Sequence, residues 1–320
     1  MAKRINRAIE LLEQDQAIYY TGAHTGHLLT RAQGREDART WADYINVGME
    51  HGSFDMAGLA EYMRGLVDGG PADSGHRTPA VIVELPVRGT DEAGVQANSW
   101  QVRQVLARGV HGVLLCQAES ADAVRAFVEA ARYPQHAQGV DPTLPSPLER
   151  MRRTVPPAAR STHAETALLL GVGTRGLGSE ATASAIWGLS REDYMHRCDP
   201  WPLNPQGDLL LGVKIESPEG VANCERILAV PGIGFAEMGP GDLGLSLGYL
   251  TVPRDPYPPE MKAARDRVFA ACRKNRIAFL ESCSPANITA RLDEGVRVIS
   301  GQREDTAKIG RAHQRRTMPV

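Results

Sequence analysis

Glu216 and Asp242 stand 26 positions apart (242 − 216), each just after a short apolar run. Leu209 to Ile215 ends at Glu216, and Pro218 to Leu228 has helical spacing. Gly234 to Met238 then leads into Gly239-Pro240-Gly241-Asp242. The stretch reads as strand, helix, strand, loop. In a parallel βαβ unit both strands end on the same face of the sheet, so the two carboxylates would meet at one mouth. Paired oxygen donors of this kind suit a hard divalent cation such as Mg²⁺ or Mn²⁺. Spacing alone also fits a helix cap and a solvated charge, so the metal reading needs support from the rest of the chain.

That support is a resemblance. The run from Val213 to Gly248 carries I-E-x-x-E-x-x-x-N followed by GPGDL. It resembles the HpcH/HpaI aldolases, the metal-dependent class II pyruvate aldolases. DYINVGMEHGSFD, from Asp43 to Asp55, resembles the family's D-EHG box, and Val110 to Pro134 resembles its fourth strand and helix. The resemblance implies Glu216 and Asp242 as ligands of Mg²⁺, Mn²⁺ or Co²⁺. It implies His51 in proton transfer, a task that suits a group titrating near neutral pH. It implies that the backbone N–H groups at Gly241 and Asp242 hold the substrate carboxylate. The implied reaction is retro-aldol cleavage of a 4-hydroxy-2-oxo acid, or the reverse addition of a 2-oxo acid to an aldehyde. There the metal acts as a Lewis acid on a pyruvate-type enolate. Family members assemble as trimers or hexamers, so a homo-oligomer is expected, with the C-terminal segment and the insertion described below as candidate contacts.

Three positions depart from the family pattern. The Asp that pairs with the histidine is here Gly48. An Asp of the third helix is Ala107. The strand-three Arg that stabilises the enolate oxygen is Glu84, in Val83-Glu84-Leu85-Pro86. The last change swings the local charge by two units, each worth roughly 4 kcal/mol at ~4 Å and an effective dielectric of ~20. Glu84 is therefore read as turned away, protonated, an added metal or water ligand, or facing a cationic or hydroxylated group on a different substrate. Arg88 or Arg175 could supply the missing cation. Two further readings stay open: a metal-dependent lyase of the same superfamily acting on an aromatic or acyl-CoA acid, and a barrel that binds a ligand without catalysis.

These residues need a frame that brings strand ends together. Apolar runs at Ala17–Tyr20, Asp43–Val47, Ala80–Leu85, Gly112–Cys116, Leu209–Ile215, Gly234–Met238, Ile277–Leu280 and Val296–Ser300 read as eight strands, with helical patterns between most of them. This predicts an α/β fold, a single (β/α)₈ TIM barrel over residues 1–320 with an N-terminal helix, its chemistry at the C-terminal mouth. A doubly wound sheet is the alternative, but no GxGxxG follows the first strand. TGAHTGHLLTRAQG, with His24 and His27, and Val87–Asn98 read as loops. Residues 135–208 carry eight prolines at 142, 145, 147, 156, 157, 200, 202 and 205 and read as an insertion after the fourth helix. A loop this long is expected to be a lid, a binding loop or a subunit contact, here placed at the strand-end face.

The chain has 320 residues, 42% hydrophobic and 23% charged, with net charge −2. That balance offers no basic face for nucleic acid, and no apolar run approaches a membrane span. The N-terminal MAKRINRAIELLEQDQ lacks a signal peptide's apolar core, and five dispersed cysteines form no CxxC pair. Both features point to reduced thiols in cytoplasm.

Overall fold

The computed structural model describes residues 3–145, 169–300 and 303–320. Its strands are β1 (Ile18–Ala23), β2 (Tyr44–Gly48), β3 (Ala80–Arg88), β4 (Gly112–Cys116), β5 (Pro200–Trp201), β6 (Leu209–Ile215), β7 (Phe235–Met238), β8 (Ala278–Ser282) and β9 (Val298–Ser300). All described pairings are parallel. β1 pairs with both β2 and β9, and β4 pairs with β6, so eight strands close on themselves; the two-residue β5 leans on the start of β6. The fold is a single (β/α)₈ barrel.

Alternation along the strands builds its interior. Ile18, Tyr20, Tyr44, Ala80, Ile82, Leu114, Leu210, Phe235, Leu280 and Val298 pack together inside, and Ala8, Ile9 and Leu11 of α1 (Arg7–Glu13) cover them from below. Two residues further along, the same inward faces carry Asn46, Glu84 and Glu237, and on β6, beyond Gly212, Lys214 and then Glu216. The barrel is thus apolar at its floor and charged at its mouth. Buried charge is costly unless paired, so this upper layer must satisfy itself or a ligand. A second apolar core lies between the strands' outward faces and the surrounding helices, including Val81, Val83, Val113, Leu211, Val213 and Phe279.

Helices follow the strands. They are α2 (Arg31–Asp37), α3 (Met56–Gly69), α4 (Glu92–Ala97), α5 (Ser99–Leu106), α6 (Ala121–Ala131), α7 (Glu180–Trp187), α8 (Arg191–Arg197), α9 (Pro218–Ile227), α10 (Pro240–Ser246), α11 (Pro259–Asn275), α12 (Ile288–Glu294) and α13 (Glu304–His313). Two loop expectations are corrected. The stretch after β1 contains α2, capped by Thr30, whose side chain accepts from Gln33 N. Within 87–98, β3 continues through Pro86 to Arg88 with a register shift, and α4 starts at the cap Asp91. A proline is tolerated in a strand at such an irregularity.

The insertion's expected place is also corrected. Its described residues lie at the floor, opposite the mouth. Trp187 donates to Gly109 O (2.9 Å) and stacks on His111, both just before β4. Asp208 accepts from Asn6 N at the start of α1. Asp199 receives both arms of Arg132, at 2.8 and 3.1 Å, just beyond α6. The reason is directional: a helix returns the chain to the strands' N-terminal end, so anything inserted before the next strand emerges there. The sequence also suggests one short helix within 145–169, a stretch that falls almost wholly on residues outside the described ones.

Candidate active site

Glu216 follows β6 and is buried. Its Oε1 accepts from the backbone N–H of Gln117 at 2.8 Å, and the Gln117 side chain donates through Nε2 to Asp242 Oδ2 at 3.2 Å. One residue therefore ties both carboxylates together. Gln117 reaches both because it turns out of β4 with φ of +47°. Its Oε1 is buried without a hydrogen-bond partner among the described residues. Gly239 makes room on the other side, since a side chain there would run into Glu216. Asp242 lies in the first turn of α10, whose opening Gly239-Pro240-Gly241 leaves the space around Gly241 open.

His51 sits on the turn after β2, half exposed, its Nε2 3.6 Å from Glu50 Oε2. Ligand atoms of Glu50, His51 and Asp242 lie within 4.8 Å of one another, and so do those of Glu50, Cys116 and Glu216. Glu50 belongs to both groups. Three carboxylates and an unsatisfied amide oxygen are a hard donor set, which fits a divalent cation such as Mg²⁺ or Mn²⁺. Burial first, and then the Glu50 charge, push the Glu216 carboxyl up to about 8, with Lys214 opposing. Burial likewise pushes the Cys116 thiol well above its ordinary range.

The sequence-proposed cations take different places. Arg88 ends β3 exposed to solvent. Arg175 is a correction. Its guanidinium is buried at the floor, donating to Tyr194 Oη (2.8 Å) and Cys198 Sγ (3.0 Å) and lying 4.5 Å from the Tyr133 ring centre. Its backbone N–H meets Arg132 O, beyond the lower end of α6. It came with the insertion and so cannot stand at the mouth.

The cation at the mouth is Lys214, which sequence reasoning missed. It is buried, with Nζ 2.8 Å from Glu50 Oε2 and 3.3 Å from Glu84 Oε2. A lone lysine in LLLGVKIE, on the inward face with Glu216, was the available signal. Burial works against the charge, but the carboxyl groups around it, Glu84 first and then Glu237 and Glu216, hold it protonated.

Glu84 points inward. Its Oε1 accepts from His24 Nδ1 (2.6 Å) and Asn46 Nδ2 (2.9 Å). Burial raises its pKa, yet His24, Lys214 and Asn46 together hold it below the usual carboxylate range. Glu84 is thus ionised and neither turned away nor protonated. Gly48 belongs to the same change: a side chain there would strike the carbonyl of His24. His27, by contrast, is spent on Asp37 and Tyr62 between α2 and α3.

The hydrogen bond to Glu84 raises the His24 pKa above 6.5, against the effect of burial. A raised histidine stabilises the fold below its unfolded pKa of about 6.5, and that contribution fades as pH climbs through the folded value. In an NMR titration His24 is expected to titrate above free histidine in the wild type and to fall in Glu84→Gln. A wild-type value at or below 6.5 would refute the pairing.

The fold and this cluster define a (β/α)₈ barrel with hard oxygen donors gathered at the strand-end mouth. The chain belongs to the HpcH/HpaI aldolase/citrate lyase family, whose profile matches residues 80–298; it is a member of a lyase family. It is 24% identical over 259 residues to a hydroxypyruvate/pyruvate aldolase of Paraburkholderia phytofirmans, covering 81% of this chain and 77% of that one. It is 28% identical over 155 residues to a 2-keto-3-deoxy-L-rhamnonate aldolase of Shigella dysenteriae, covering 48% of this chain and 42% of that one. Among solved structures, an HpcH/HpaI aldolase/citrate lyase family protein from Burkholderia cenocepacia superposes with a TM-score of 0.64 at 22% identity, covering 96% of each chain. The citrate synthase SbnG superposes with a TM-score of 0.62 at 16% identity, covering 98% of this chain and 96% of that one. Among the described residues no helix is long and apolar enough to cross a membrane.

Proposed function

We propose that this chain is a divalent-metal-dependent carbon–carbon lyase. It would cleave a 4-hydroxy-2-oxo acid to a pyruvate-type acid and an aldehyde, or join the two. The observation that carries the reading is the convergence of Glu216, Asp242, Glu50 and His51, with Gln117 bonded to both Glu216 and Asp242. Glu216 and Asp242, with Glu50 beside them, would hold the cation. When bound, the cation supplies Lewis-acid stabilisation of the enolate. The backbone N–H groups of Gly241 and Asp242 hold the substrate carboxylate. His51, half open to solvent, moves the proton between the substrate's 4-hydroxyl and water. The relatives' named substrates, hydroxypyruvate and pyruvate among them, support a small 2-oxo acid.

Deuterium exchange at the methyl group of pyruvate in D₂O, followed by NMR with Mg²⁺, Mn²⁺ or Co²⁺, tests this without knowledge of the aldehyde. Exchange that depends on the metal and stops with chelator is the expected result. No exchange in protein that still binds metal would favour a second reading, a lyase of a different acid. The observation behind that reading is Glu84 in the place of the family's arginine.

A further inference from the structure

We propose that Lys214 is the cation that meets the negative charge developing on the substrate's keto oxygen, with Glu84 and His24 as its positioning residues. The inference rests on the lyase reading above and deepens it. The role is the one the resemblance gives to a strand-three arginine, a position that here carries Glu84.

Three observations carry it. The first is placement. Lys214 is the last inward position of β6 and Glu216 continues the alternation just beyond the strand, about 6.6 Å further along the chain. Lys214 is also the single buried Lys or Arg on a strand among the described residues. The second is valence. An ammonium has three N–H donors. Among the described residues Nζ donates a hydrogen bond to Glu50 and lies in an ion pair with Glu84, whose Oε2 accepts no hydrogen bond, so at least one donor is left for a ligand. The third is that two departures from the family pattern make one connected unit. Gly48 lets the backbone of His24 come close. His24 then reaches Glu84, Asn46 fixes Glu84 from β2, and Glu84 pairs with Lys214 across the barrel. The positive group has moved from β3 to β6, and its former position now anchors it.

The test compares wild type, Lys214→Met, Lys214→Arg and the double variant Lys214→Met/Glu84→Gln. The double variant removes the carboxylate that the single change would leave buried without its cation. Each is measured for Mn²⁺ binding, for affinity toward pyruvate and toward oxalate (a planar dianion shaped like the enolate), and for methyl exchange. In both Met variants Mn²⁺ affinity is expected to change by less than tenfold. Oxalate affinity and exchange are expected to fall by about 10²–10³-fold, the scale of a lost oxyanion donor, and pyruvate affinity by far less. Lys214→Arg should recover part of both losses. A folded double variant that keeps oxalate affinity and exchange would overturn the proposal. So would a borohydride-trapped pyruvate adduct on Lys214, which would make the lysine a nucleophile. A wild type that neither exchanges pyruvate nor binds oxalate would remove the lyase reading itself, whereas loss confined to none of the variants removes only the role of Lys214.

Discussion

Glu216→Gln is expected to abolish metal-dependent exchange of pyruvate, by about 10³-fold or more, while leaving the barrel folded. Lewis-acid stabilisation is worth several kcal/mol, and each 1.36 kcal/mol is tenfold in rate. The substitution keeps an acceptor for the Gln117 N–H and nearly the same volume beside Gly239. It removes only the charge. Without metal that charge is a burden, because burial pushes the Glu216 carboxyl up to about 8. A carboxyl with a raised folded pKa favours the fold in its neutral form, so the metal-free protein loses stability as pH rises from about 4.5 toward 8. Metal-free Glu216→Gln should therefore melt no lower than wild type at pH 8, although its Mn²⁺ affinity collapses. The two readouts move in opposite directions, which separates a lost ligand from a damaged fold. Retained exchange with retained Mn²⁺ binding would remove Glu216 from the metal site.

Much of this frame is legible in the sequence because each barrel strand is an apolar run with a sharp end. All eight runs proposed as strands lie on the eight strands of the barrel. The elements that escaped are those whose stability comes from caps and docking. α2 and α4 each contain a glycine and polar residues, yet Thr30 and Asp91 accept from their first-turn N–H groups. Such caps contribute about 1 kcal/mol each, enough to tip a short segment already docked on its neighbours. α10 opens on Gly-Pro-Gly and is only seven residues long, too short for periodicity to register.

The site divides in the same way. Residues in motifs, Glu216, Asp242 and His51, can be found by type and spacing. Gln117 cannot, because its role depends on a positive φ and on two partners 99 and 125 positions away. Lys214 could have been found by counting alternation from Glu216, since a charge on an inward barrel position demands a partner. Arg175, offered by the sequence as a source of the missing cation, lies within the insertion. The direction of an α-to-β connection, read from topology, places it at the floor.

Asp43→Asn is expected to destabilise the fold by about 3–5 kcal/mol, the scale for breaking a buried charge cluster by removing one member. Asp43 is fully buried at the start of β2. Its carboxylate accepts from Tyr19 N (3.0 Å) and from both arms of Arg316, with Arg311 at 3.4 Å and Arg7 at 4.0 Å. Those arginines come from α1, from α13 and from the segment after it, so one carboxylate fastens both ends of the chain to the barrel floor. The C-terminal segment, read from sequence as a candidate subunit contact, thus spends the charges of Arg311 and Arg316 inside the molecule. Asparagine would leave three guanidinium groups facing one another with no anion between them. Burial opposes ionisation of Asp43, but Arg316, Arg311 and Arg7 outweigh it and hold the pKa below 3.8. A depressed carboxyl contributes stability above its unfolded pKa and loses it as pH falls through the folded value. Wild type should therefore lose stability more steeply than Asp43→Asn on acidification below about pH 4, and the gap between their denaturation midpoints should narrow there. A midpoint difference at pH 7 of under 1 kcal/mol would mean that the termini are held by α1's apolar face and not by this cluster.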